Sequence, residues 1–130
     1  MGTTENVELV RRGYEAFNTG DAATLSGMFA EDAVWHVGGS GVLSGMKQGR
    51  DAVLAYFGEL ASRTNGDFQA TLKDIVGGEN YTIAVQQTKA TNNGKTLDLP
   101  TIITFVVRDG KITEGREYFE ESGKFDDFWA

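Results

Sequence analysis

The sequence predicts an α+β fold in which helices from the N-terminal half cover one face of a curved antiparallel sheet. Two observations carry this. Up to Leu60, apolar residues recur at helical spacing, as in Val7, Val10, Tyr14 and Phe17. After Gly66 they alternate with period two and are interrupted by the turns Gly77-Gly78, Asn93-Gly94 and Asp109-Gly110. Helices followed by hairpin-linked strands segregate into two layers.

The first helix ends at Asn18-Thr19-Gly20, where Gly20 can take positive φ. Asp21 caps a short second helix holding Leu25, Met28 and Phe29. A strand follows over Ala33–Val37. Gly38 to Gly49 contains Gly38, Gly39, Gly41, Gly45 and Gly49 and reads as a mobile loop. Its Gly39-Ser40-Gly41 is not a dinucleotide fingerprint, because Ser44 stands where the third glycine belongs and no helix starts close behind. Asp51 opens a third helix with Val53, Phe57 and Leu60 on one face, and Asn65-Gly66 ends it. Strands follow around Phe68–Leu72, Tyr81–Thr91, Thr96–Val107 and Lys111–Phe119. Pro100, the only proline, falls inside the longest of these, which calls for an edge or a bulge there.

At 130 residues the chain is expected to be one domain, residues 1–130, with enough apolar content (40%) for one core. No stretch approaches the roughly 20 apolar residues of a membrane helix. Met1 to Glu8 has no leader-like pattern, and there is no cysteine, so a cytoplasmic location is expected. The net charge of −7 and the lack of a basic stripe argue against nucleic acid. One histidine and no cysteine argue against a metal site, and no cofactor is expected. Residues 114–130 carry Glu114, Glu117, Glu120, Glu121, Asp126 and Asp127 against Arg116 and Lys124. Such a segment reads as a solvated tail, yet Phe125, Phe128 and Trp129 lie within it and favour docking.

One strand hints at a hollow. Between Tyr81 and Thr88, one face holds Tyr81, Ile83 and Val85, while the other holds Thr82, Ala84, Gln86 and Thr88. Small, mildly polar side chains suit a cavity wall, and they suit a solvent-facing strand equally well.

Three segments carry a family resemblance: Phe29-Ala30-Glu31-Asp32-Ala33-Val34-Trp35-His36-Val37, Gly49-Arg50-Asp51-Ala52-Val53 and Asp109-Gly110-Lys111-Ile112-Thr113-Glu114. With the order of elements and the closing Asp126-Asp127-Phe128-Trp129, they resemble the SnoaL-like group of the nuclear transport factor 2 superfamily. The resemblance spans essentially the whole chain. It implies a cone, a bent sheet wrapped over three helices around an internal pocket, and a homodimer formed through the outer sheet face.

The resemblance also implies what is missing. Set beside limonene epoxide hydrolases, the catalytic Asp-Arg-Asp places hold Gln86, Ala84 and Glu117, and the accompanying Tyr and Asn places hold Trp35 and Val37. Epoxide hydrolysis by that set is not expected. Beside ketosteroid isomerases, the general base falls near Val37, the oxyanion-hole acid near Thr101 or Ile102, and the tyrosine near Gly13, one position from Tyr14.

Glu117 is then the best candidate acid or base, facing the pocket on the same strand face as Phe119. His36 is a possible partner, since it titrates near neutral pH, although alternation turns it outward if Trp35 and Val37 point inward, unless a bulge reverses this. Trp35, Val37, Tyr14, Gln86, Thr88, Leu99, Thr101 and Phe119 are expected around the substrate, with Gln86, Thr101 and the Trp35 N–H polarising its oxygen. The expected reaction is isomerisation, cyclisation or dehydration of a small apolar or oxygenated molecule. Ligand binding without chemistry, or a dimeric scaffold, are the other readings.

Overall fold

A computed structural model of the chain describes residues 3–130; Met1 and Gly2, the start of the stretch read for a leader, lie outside the described residues. The elements in order are α1 (Thr3–Thr19), α2 (Ala22–Met28), β1 (Phe29–Val37), β2 (Gly45–Gln48), α3 (Arg50–Ser62), β3 (Gln69–Gly77), β4 (Thr82–Asn92), β5 (Lys95–Arg108), β6 (Lys111–Phe119) and α4 (Ser122–Trp129). The six strands form one sheet in the order β2-β1-β6-β5-β4-β3. No helix of the described chain is long and apolar enough to cross a membrane.

The sheet is mixed rather than antiparallel, because β1 runs parallel to β6. Period-two alternation and turn residues fix the direction of consecutive strands only. The pairing of β1 with a strand some 80 residues later leaves no local trace.

The three N-terminal helices form where the sequence places them, except that Phe29, expected on the second, opens β1. Asp21 accepts the Thr24 backbone N–H at 3.1 Å and its hydroxyl at 2.6 Å, which satisfies one orphan donor of α2. Leu9, Val10 and Ala16 of α1 and Val53, Tyr56 and Leu60 of α3 are buried in the core beneath the sheet. On β4 the small face, Thr82, Ala84, Gln86 and Thr88, points inward, and Tyr81 is exposed on the other side.

Pro100 pairs opposite Gln87 with no bulge. Its carbonyl accepts from the Glu120 N–H at 3.2 Å, just past the last paired residue of β6, Phe119. The missing proline N–H therefore faces the end of a neighbour, where an interior strand behaves as an edge.

Of the two readings of the acidic C-terminus, docking holds: it is not a solvated tail but forms α4 and buries Phe125, Phe128 and Trp129. Phe125 stacks on Phe119 with ring centroids 4.1 Å apart, and Trp129 stacks on Phe68 at 6.1 Å. The glycine-rich segment is not a free loop either. Its second half is β2, paired to β1, and its first half is clamped by Asp126 of α4. That carboxylate accepts the Ser40 backbone N–H at 2.9 Å and the Ser44 hydroxyl at 3.1 Å. A Cβ at Gly39 or Gly41 would strike the same carboxylate, so glycine there serves close approach rather than mobility.

Candidate functional site

The concave side of the sheet and the three N-terminal helices enclose a cavity of about 60 Å³. Its wall is overwhelmingly apolar, with Phe17, Phe29, Trp35, Phe57, Phe68 and Phe105 contributing six aromatic rings. The polar side chains on the wall are Tyr14, Gln86 and Glu117.

Glu117 arrives by strand alternation. It sits on β6 between Val37 of β1 and Ile103 of β5, on the same face as Gly115. Gly115 lies opposite Trp35, and the absence of a side chain there lets the indole lie across β6. The indole Nε1–H donates to Glu117 Oε2 at 2.6 Å. The Tyr56 hydroxyl, from α3, donates to the same oxygen at 3.0 Å. Oε1 takes neither bond. Rings of Phe57, Phe105 and Phe29 surround the indole at centroid distances of 5.0, 5.7 and 6.0 Å and keep water from it.

Burial pushes the Glu117 carboxyl up to about 7, against the pull of the Trp35 and Tyr56 hydrogen bonds and the positive charge of Lys47. The group is therefore divided between acid and carboxylate near neutral pH, the condition for moving a proton in either direction. Tyr14 and Tyr56 are raised far above the usual phenol range, first by burial and then by the Glu117 charge, so both hydroxyls stay protonated.

A second polar string runs away from the cavity along β4 and β5. The Tyr14 hydroxyl donates to Gln86 Oε1 at 2.6 Å, and Gln86 Nε2 donates to Thr88 Oγ1 at 2.9 Å. The Thr88 and Thr101 hydroxyls are hydrogen-bonded at 2.8 Å, and Thr101 Oγ1 reaches the Leu99 carbonyl at 3.3 Å. Such a string orients Gln86 while satisfying two buried hydroxyls.

Of the residues expected from sequence, the fold brings Trp35, Tyr14, Gln86 and Glu117 to the cavity wall. Val37, Thr88, Leu99 and Thr101 are buried but stand off the wall, and Phe119 is half-buried under Phe125. They lie toward the end of the concave face against which α4 packs. The Thr101 hydroxyl and the Trp35 N–H each have a protein partner, Thr88 and Glu117.

His36 is on the other side of the sheet. The irregular pairing of β1 with β6 falls between Phe29 and Val34, and from Val34 to Val37 the register is continuous, so alternation holds and His36 faces out. Its Nε2 lies 3.3 Å from Glu114 Oε2, beside Arg116. It is not a partner for Glu117. Tyr56 was missed. It lies three residues after Val53 and four before Leu60, on the buried stripe of α3, and that spacing was the signal available.

A SnoaL-like domain family model matches residues 10–115. An uncharacterized protein of Mycobacterium tuberculosis is 35% identical over 131 residues, covering all of both chains. The solved structure of Bal32a, from a soil-derived mobile gene cassette, is 37% identical with a TM-score of 0.96, over 98% of each chain. An NTF2-like protein of Burkholderia xenovorans superposes with a TM-score of 0.83 over 98% of each chain, and at 24% identity shares the fold alone.

Proposed function

The chain belongs to the SnoaL-like family, and from that premise we propose that it is an acid-base enzyme of the isomerase, cyclase or dehydratase type acting on a small apolar, oxygenated molecule. One observation carries the reading: a carboxyl poised near neutrality lines an apolar cavity, and both its donors go to Oε2, leaving Oε1 uncommitted. In the carboxylate form that oxygen takes a proton from a carbon next to a carbonyl; in the acid form it returns one. Gln86, steadied by Tyr14 and Thr88, would offer the substrate oxygen its second Nε2–H, the one Thr88 does not take.

The test is proton exchange. In heavy water, the protein should speed deuterium uptake at the carbons flanking the carbonyl of 2-indanone, read by proton NMR, with a rate that climbs through about pH 7. Glu117→Gln should remove the acceleration. Equal exchange in both proteins would overturn the reading, and stabilisation of both by the ketone without exchange would favour a ligand carrier.

The outer sheet face exposes Tyr118 and Ile102, next to half-buried Ile83 and Val85. We propose that two copies pair through it. Light scattering should give twice the chain mass, and Tyr118→Asp should shift it toward one; a single-chain mass for the unaltered protein would refute the pairing.

A further inference from the structure

We infer that Lys47 is a positioning residue whose ammonium, seated over Tyr56 from β2, sets the proton affinity of Glu117. The inference rests on the reading of Glu117 as the titrating group of the cavity.

The register places the lysine. Lys47 lies directly opposite Trp35 on the neighbouring antiparallel strand, and opposed residues share a sheet face. It therefore projects toward the side of Trp35 and α3, whereas the next residue back, Met46, opposes His36 and is exposed. Lys47 Nζ sits 5.4 Å from the centroid of the Tyr56 ring, within cation–π range. It donates to the Ser44 carbonyl at 3.3 Å, and Ser44 is itself held by Asp126 of α4. Tyr56, pinned beneath the ammonium, is the residue that donates to Glu117 Oε2.

The position matters because the carboxyl has little else to answer its charge. Among the described residues, the titratable or charged groups turned toward Glu117 are Tyr14 from α1, Tyr56 from α3 and Lys47 from β2. Glu114, Arg116 and His36 occupy the opposite face of the sheet, and Asp126 is turned to the glycine-rich segment. Both tyrosines remain neutral, so the lysine is the cation that opposes burial. It is half-buried, and its field reaches the carboxyl with less screening than a surface charge would have.

The readout is the Trp35 indole N–H, whose nitrogen-15 NMR signal follows the charge on its acceptor; Trp129→Phe assigns it. In the unaltered protein its titration should centre near pH 7. Lys47→Met, which keeps the stem and removes the charge, should raise the midpoint by about 0.5 pH unit or more, the scale of one partly screened charge. Lys47→Arg should restore it. A Lys47→Met midpoint equal to that of the parent would overturn this inference and leave the role of Glu117 standing. A parent signal that does not titrate between about pH 5 and 9 would overturn the reading of Glu117 and this inference with it.

Discussion

At pH 8, Glu117→Gln unfolds with a free energy about 3 kcal/mol above that of the parent chain, and near pH 4.5 the two are equal. The sign follows from the direction of the shift. Burial raises the carboxyl from 4.5 to about 7, so between those values the folded chain holds a proton that the unfolded chain releases. Stability contributed by the protonated acid is complete below about 4.5 and is lost as pH climbs through about 7. Above that, the fold carries a buried carboxylate whose two hydrogen bonds and one nearby lysine do not fully offset its desolvation. Glutamine keeps an oxygen for Trp35 and Tyr56 and carries no charge. Melting curves of both proteins across this range check the result; parallel curves with no divergence above pH 6 would contradict it. A residue that costs stability at working pH and is nonetheless buried in the cavity wall fits function better than folding.

The second large effect is steric. Gly115→Ala should destabilise the fold by about 3 kcal/mol, the upper part of the range for overpacking a core. A Cβ at this position would fall onto the six-membered ring of Trp35, which has no room to retreat among Phe29, Phe57 and Phe105. Displacing the indole also breaks its bond to Glu117, so the near-ultraviolet circular dichroism of the tryptophan should change along with the denaturation midpoint. Gly58→Ala is the control: it lies in α3, its Cβ would meet open space, and relief of glycine's helix penalty should add about 1 kcal/mol. A Gly115→Ala protein as stable as its parent would mean that the indole does not rest on β6.

How much of this could be read from the chain is clearest in single residues. The family resemblance put Glu117 on the pocket face; alternation turned His36 outward on the condition that Trp35 and Val37 point inward, and the acid-base role expected of His36 fails on that same alternation. Family resemblance was needed to say that the strands at 29–37 and 111–119 share one cavity, because their parallel pairing joins segments some 80 residues apart in the chain and leaves no local pattern. Tyr56 was within reach of helical spacing, since it lies on the same stripe as Val53 and Leu60. Lys47 was not: its place depends on a four-residue strand hidden among glycines and on its register with Trp35. Gly115, a glycine inside a strand, signalled a close approach without naming the ring that makes it. The C-terminal helix escaped for a different reason. It is short, acidic and without a side-chain cap at its start, so only its three aromatics showed that it must dock.

Everything proposed for the site requires that a carboxyl inside the cavity change charge near neutral pH. Carbon-13 NMR of the glutamate side-chain carboxyls, with Glu117→Gln to assign the signal, measures that directly. The Glu117 resonance should titrate with a midpoint near 7. A midpoint at the ordinary carboxylate value, near 4.5, would contradict the proposal.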